Sequence, residues 1–241
     1  MARQPRLVIP AQPHHIVQSA VDRQLAFRDD DDHRAFLNWL RDAAKLYKVA
    51  IHAYVLLPNQ LQILATPSDA EGMARMMQWV GRHYVPYFNK KYHRAGTLWQ
   101  GRFKASVVDP ATHLLLCTRY IEFAPVRAAL TSTALDYPWS SHAHHVGVTP
   151  DGLIMDHVAY WSLGNTPFER EAAYRALAEQ ALTTPELLNL EGSVSKGWAI
   201  GPDTFKSELE RQTNRQVRPG KRGRPGKAAA KPPAQDRIED S

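Results

Sequence analysis

The sequence predicts an α+β fold in which helices pack on one sheet, followed by a helical extension and a basic tail. Three observations carry this. Hydrophobic periodicity runs in the order strand, helix, strand, strand, helix, strand, helix. Hydrophobic residues make up 44% of the 241, enough for a substantial core. From residue 215 onward the composition turns to Pro, Gly, Lys and Arg, a mixture that does not bury a core. On element order alone the sheet is mixed.

Residues 13–21 alternate loosely and end at Asp22-Arg23, a first strand and its turn. Behind the acidic run at Asp31, the positions Phe36, Leu37, Leu40, Ala43, Ala44 and Tyr47 recur at three- and four-residue spacing, which makes a helix with favourable charge at its N-terminus. Val49 to Leu57 and Gln60 to Thr66 read as two strands joined at Pro58-Asn59. A helix then starts near Ser68-Asp69 and carries Met73, Met76, Met77, Val80 and Tyr84 on one stripe to about Asn89, with a kink expected at Pro86. Phe103 to Val108 is a fourth strand. Asp109-Pro110 opens a helix to about Phe123, since Asp caps and Pro fits the first turn. Helices are also expected from about Thr166 to Leu182 and from Asp203 to Gln212.

The charge is unevenly placed. Residues 215–241 hold eight basic and three acidic side chains, whereas the preceding residues hold 22 basic against 21 acidic. The body is nearly neutral, and the tail is the segment whose charge argues for a polyanion. The longest apolar runs fall far short of the ~20 residues of a membrane span, and residues 7–9 are too short for a secretory signal. A cytoplasmic, nucleoid-associated protein without a membrane partner is the expectation. One cysteine, Cys117, excludes an internal disulfide and a thiolate metal cluster.

Ile51-His52-Ala53-Tyr54-Val55-Leu56-Leu57-Pro58-Asn59, Gly96 to Lys104, and Arg119-Tyr120-Ile121-Glu122 with Pro125-Val126-Arg127-Ala128 closely resemble the REP-associated tyrosine transposases. These are transposase-like members of the HUH superfamily of single-strand DNA endonucleases. Tyr137-Pro138-Trp139-Ser140-Ser141 extends the likeness, which runs from about Arg6 to Phe205.

The resemblance implies a ferredoxin-like HUH palm with an antiparallel sheet in residues 1–145, a helical C-terminal extension in 146–214, and a tail in 215–241. It further implies two histidines on a central strand holding a divalent ion, and a tyrosine on a later helix that attacks the scissile phosphate. Here the histidine positions fall on Gln60 and Gln62 and the nucleophile position on Tyr120. Ala124 stands where relatives usually place an asparagine ligand. All three metal positions are degenerate. Relatives tend to read Gln-Arg-Gly-Asn in the first hairpin, where this chain has Gln18-Ser19-Ala20-Val21, and the lost glycine suggests a changed turn.

The expectation is therefore DNA binding without efficient cleavage and with no cofactor. The rival readings are an active nuclease using Mg²⁺ or Mn²⁺ through Tyr120, and a protein-interaction module without DNA binding. Arg82, Lys90, Lys91, Arg94, Arg102 and Lys104, interleaved with Tyr84, Tyr87, Phe88, Tyr92 and Trp99, are candidate contacts to hairpin or single-stranded DNA, and the motif places Arg127 with them. In the tail, Arg222 and Arg224 form the Arg-Gly-Arg-Pro core of an AT-hook, suited to an A·T-rich minor groove. His14, His15 and His52 are expected to be structural. His142, His144 and His145 are expected to be solvent-exposed on a loop, with no carboxylate beside them.

Overall fold

The computed structural model describes residues 6–219. Strand β1 (His14–Ser19) leads through a single 3-10 turn to helix α1 (Asp30–Leu46), then β2 (Val49–Leu57), β3 (Gln60–Pro67), α2 (Gly72–Lys91) and β4 (Lys104–Val107). The sheet order is β2-β3-β1-β4 and every pairing is antiparallel. This is the ferredoxin-like arrangement, and it corrects the mixed sheet expected from element order alone. Each helix crosses over one intervening strand, so its two flanking strands run in the same direction without touching.

Both sheet faces are covered. Because side chains alternate along a strand, Leu61, Ile63 and Ala65 of β3 face α1 and α2 in one core. Leu64 shares the other core with Ala53, Val55, Leu114, Cys117 and Ile121. That second layer is made by α3 (Leu114–Glu122) and α8 (Thr184–Lys196). Between them the chain forms the short helices α4 (Ala124–Arg127), α5 (His142–His145) and α6 (Val158–Trp161), then α7 (Pro167–Ala178); α9 (Asp203–Thr213) follows α8.

Helix α3 begins later than expected, because the Asp109 carboxylate accepts from Thr112 N–H and Thr112 Oγ and holds residues 109–113 as a turn. Helix α2 continues through Pro86. The turn after β1 places Ala20 in extended backbone (φ −72°, ψ 154°) and puts positive φ at Asp22 and Arg23 instead (51° and 55°). A glycine is thus not demanded at position 20.

The segments after α3 blunt both sheet edges, which would otherwise offer unpaired backbone to other chains. Residues 139–155 lie along β2, with Leu56 N–H donating to Trp139 O (2.9 Å) and Met155 N–H to Ile51 O (2.7 Å). Beside β4, Ile200 N–H donates to Val107 O (2.8 Å). Residues 215–219, expected in an unfolded tail, are packed: Val217 is buried, and its carbonyl accepts from Ala199 N–H (2.9 Å). Arg222 and Arg224 lie outside the described residues. No described helix is long and apolar enough to cross a membrane.

Candidate functional site

The face of the sheet turned toward α3 becomes polar at one end. Strand periodicity places His15, Val17 and Ser19 of β1 beside Gln62 and Gln60 of β3, in the register Val17 opposite Gln62 and Ser19 opposite Gln60. Their polar atoms form a chain of 3.0 Å hydrogen bonds: His15 Nε2–H to Gln62 Oε1, Gln62 Nε2–H to Gln60 Oε1, and Gln60 Nε2–H to Ser19 Oγ. With its proton on Nε2, His15 carries a bare Nδ1 acceptor that is buried and has no protein partner. Burial drives the His15 imidazole down to about 4, against the opposing hydrogen bond to Gln62, so it is neutral at physiological pH.

Tyr120 closes this end from α3. Its ring meets His15 edge-on, with centroids 5.7 Å apart, and the Arg127 guanidinium lies 4.1 Å from its centroid on the other side. Gln60, Gln62, Tyr120, Arg102, Lys104 and Glu191 line one cavity of ≈ 320 Å³. Burial pushes the Tyr120 phenol above its ordinary value, and the nearby Arg127 charge only partly offsets that. Ala124 is buried and brings no polar atom to the cavity. Of the residues aligned by motif, Gln60, Gln62 and Tyr120 therefore converge on one cavity while Ala124 does not line it, and His15 joins them. Its nearness to Gln62 follows from register, which single-strand patterning leaves open.

The remaining sequence candidates divide. Arg102 and Lys104 are exposed on the cavity rim, and Arg127 is exposed beside Tyr120. Arg82 and Lys90 are exposed on α2, outside this cavity. Lys91 is committed elsewhere, bound to Asp29 (2.7 Å) and to the buried Asp32 (3.0 Å). Arg94 donates to Thr97 O (3.3 Å) and lies over Phe88.

Of the five expected stacking platforms, Tyr87 and Tyr92 are half-buried, with the Tyr92 hydroxyl donating to Asp29 (2.9 Å) and Asp32 (2.8 Å), and the other three are a correction. Trp99, Tyr84 and Phe88 are buried in the α1/α2 core, where Tyr84 and Trp99 rings stand 6.2 Å apart and Phe27 and Phe36 pack on them. Their faces are occupied by one another and by apolar side chains. His14 and His52 are structural, as expected. His14 Nδ1–H donates to Gln12 O (2.7 Å), and His52, at the bulge in β2, donates to Met155 O (2.6 Å).

The second correction concerns His142, His144 and His145, which form α5 rather than an exposed loop. His142 and His145 are 6% and 3% exposed and both bind a carboxylate. That carboxylate is Glu122, 0% exposed and two residues beyond Tyr120 on α3. Its Oε1 accepts from Ser141 Oγ (2.6 Å) and His145 Nδ1 (2.6 Å), and its Oε2 from His142 Nδ1 (2.9 Å) and Tyr174 Oη (2.7 Å). Burial alone would raise the Glu122 carboxyl. The charge of His145 and the hydrogen bonds from both histidines outweigh it and hold the group well below the usual carboxylate range.

Beside this network, His144, His145 and Asp156 bring ligand-type atoms within 4.8 Å of one another. Proton placement favours a hydrogen bond to the carboxylate there. His144 Nδ1 accepts Asp151 N–H (3.0 Å), so the ring proton sits on Nε2 and points at Asp156 Oδ1 (3.3 Å). A metal on that nitrogen would require the proton to leave.

The sheet, the crossing helices and the tyrosine-bearing α3 define a transposase-type α+β domain. Residues 11–123 match the family described as IS200-like transposase. Over that span the chain is similar to the IS200-like transposases. Among solved structures it is similar to a REP-associated tyrosine transposase bound to a REP hairpin. The TM-score is 0.53 at 17% identity, covering 66% of this chain and 96% of that one. A transposase chain from Deinococcus radiodurans aligns at a TM-score of 0.36 and 20% identity, covering 50% of this chain and 95% of that one. No curated protein matches the chain.

Proposed function

We propose that the chain is a transposase-like DNA-binding protein that recognises hairpin or single-stranded DNA and is impaired in metal-dependent strand cleavage. The observation that carries this reading is the amide chain facing Tyr120. Gln60 and Gln62 each already accept a hydrogen bond on the carbonyl oxygen, and both are neutral. Mg²⁺ and Mn²⁺ are held by oxygen sets that usually include carboxylates. The only carboxylate lining the cavity, among the described residues, is the exposed Glu191. These side chains do not fit a divalent ion, and a phenol held protonated by burial is a poor nucleophile.

DNA affinity is supported by Arg102, Lys104 and Arg127 around the cavity and by the fold shared with a hairpin-bound transposase. In the same reading, residues 1–145 act as the DNA-binding palm and 146–214 as its extension. Arg222 and Arg224 of the tail add contacts to A·T-rich duplex and keep the protein at the nucleoid.

The test incubates purified protein with labelled hairpin-bearing single strands and Mg²⁺ or Mn²⁺, reading mobility shifts and covalent adducts together. Shifts without adducts are expected, and Tyr120→Phe should leave the shifts intact. Adducts that disappear in Tyr120→Phe would establish an active nuclease, and absence of any shift would leave an interaction module.

A further inference from the structure

At the end of the β2/β3 ladder opposite Gln60 and Gln62, where Ala50 pairs with Thr66, an open cavity of ≈ 500 Å³ lies between the last turns of α1 and residues 152–155. Its floor is aliphatic. Val49, Leu153, Ile154 and Met155 line it, and no aromatic or acidic side chain occurs among its described lining residues. The edge of β2 fixes this wall: Ile154 bridges Ile51, Met155 N–H donates to Ile51 O (2.7 Å), and Met155 O accepts from His52 Nδ1 (2.6 Å). With its main chain held on both sides, Met155 still leaves its side chain in solvent, 61% exposed.

The rim is basic. Arg41 and Lys45 stand one turn apart on one face of α1, and Lys48 follows in the turn that ends the helix, so three cations are spread over roughly 10 Å. Among the described residues none of the three forms an ion pair, and Arg41 donates to the neutral Asn38 Oδ1 (3.1 Å). Helix polarity favours cations in the last turn, but it explains neither Arg41 nor the uncovered aliphatic floor beside it.

We propose that this cavity docks an acidic segment of a partner protein, one that sets an aliphatic side chain on the floor and carboxylates against Arg41, Lys45 and Lys48. Charge complementarity selects an anion. The row of cations is longer than one carboxylate but matches several carried along an extended chain at ~3.3 Å per residue, which favours a peptide over a small aliphatic acid. A floor without an aromatic ring gives unpaired bases no stacking platform, so the site does not suit single-stranded DNA. The Met155 thioether is a flexible lip that adapts to different aliphatic shapes. This cavity shares no lining residue with the one at Tyr120, so a docked segment leaves that one open, and the inference does not depend on DNA binding.

Fluorescence anisotropy with the full chain tests it, using three short labelled peptides that alternate Asp with Leu, Asp with Ser, and Lys with Leu. The first should bind, the second about tenfold more weakly, as expected for losing one buried leucine, and the third not at all. Lys45→Glu and Met155→Asp should each weaken binding of the Asp-Leu peptide about tenfold while melting and hairpin binding stay unchanged. Both replaced side chains are exposed and they lie on different walls, so one variant still reports on the cavity if the other perturbs the fold. Undiminished peptide binding in the folded variants, equal affinity for the Asp-Leu and Asp-Ser peptides, or no binding of the first overturns the proposal. So does full displacement of the peptide by an equal concentration of octanoate, which would assign a small acid, or by hairpin DNA, which would move the peptide to another surface. Self-association of the chain that Met155→Asp abolishes would make this face a contact between copies and overturn it as well.

Discussion

Replacing Glu122 by glutamine isolates the buried network behind α3, because the substitution keeps volume and removes charge. The carboxylate accepts four hydrogen bonds, two on each oxygen, and has no exposed surface. A glutamine keeps one oxygen and turns an NH₂ toward two of those donors. Losing two charge-assisted bonds, each ~1.5–3 kcal/mol, gives roughly 3–6 kcal/mol, in line with the ~3–5 kcal/mol for breaking a buried ion pair from one side. For a chain of this size that lowers the melting temperature by on the order of 10 °C. Tyr174→Phe removes a single donor and should cost about 1–3 kcal/mol. Because both changes act on one carboxylate, the double variant should depart from additivity by more than ~0.5 kcal/mol.

The same substitution has a pH signature. In the folded protein Glu122 is held well below the usual carboxylate range, whereas in the unfolded chain it takes up its proton near its ordinary 4.5. Its contribution is therefore complete above that value and is lost as pH falls below it, at up to ~1.4 kcal/mol per pH unit. Urea titrations followed by circular dichroism at several pH values should show this increment of slope in the unsubstituted protein and not in Glu122→Gln. A Glu122→Gln variant within 1 kcal/mol of the unsubstituted protein, or an unchanged acid limb, would refute the assignment of Glu122 as an ionised buried hub.

Two further outcomes follow from the same structure. Burial lowers His14, His15 and His52 to about 4 in the folded protein, against an ordinary value of 6.5. The unfolded chain thus binds more protons throughout that window, and stability should fall as pH drops from 6.5 toward 4, by up to ~1.4 kcal/mol per pH unit for each histidine; urea midpoints that match at pH 7 and pH 5 would contradict it. Trp99→Ala should destabilise by about 3–5 kcal/mol, as expected when a buried ring is emptied from a core, while the folded fraction keeps its DNA affinity. A selective loss of binding with unchanged melting would instead return Trp99 to the interface.

What could be read without coordinates depended on the range of the interaction. Period-two alternation separates Leu61 and Ile63 from Gln60 and Gln62, and motif likeness placed Tyr120 against the same end of the sheet. The structure brings Gln60, Gln62 and Tyr120 into one cavity and puts Leu61 and Ile63 in the core on the other face. The helical stripe through Met73, Met76, Val80 and Tyr84 already marks Tyr84 as a core residue. The same period continues to Phe88, so the core fate of these two aromatics was legible from periodicity, although their basic neighbours suggest DNA. Helix α8 was missed despite a local signal: Thr183 and Glu186 form a capping box, with Pro185 in the first turn. The histidines of α5 are a different case. Their carboxylate lies twenty residues upstream of His142 on another element, and no local pattern connects them. The hint was Glu122 itself, an acid closing a largely apolar helix.

That placement links the two halves of the site. Tyr120 and Glu122 are two residues apart on α3, about 200° around a helix, so one looks into the cavity beside Gln60 and Gln62 while the other points toward α5 and α7. Residues 141–145 together with Tyr174 of α7 therefore brace the helix that carries the tyrosine by a route independent of any ion. Arg119 adds a second tether, donating to the Gln180 carbonyl beyond α7. A metal-dependent relative could rely on the ion to tie strand and helix together. Here the amide chain occupies the strand side and the Glu122 network anchors the helix side, so protein hydrogen bonds hold both walls of the cavity. The geometry needed to bind DNA can persist where the electrophile activation needed to cut it does not.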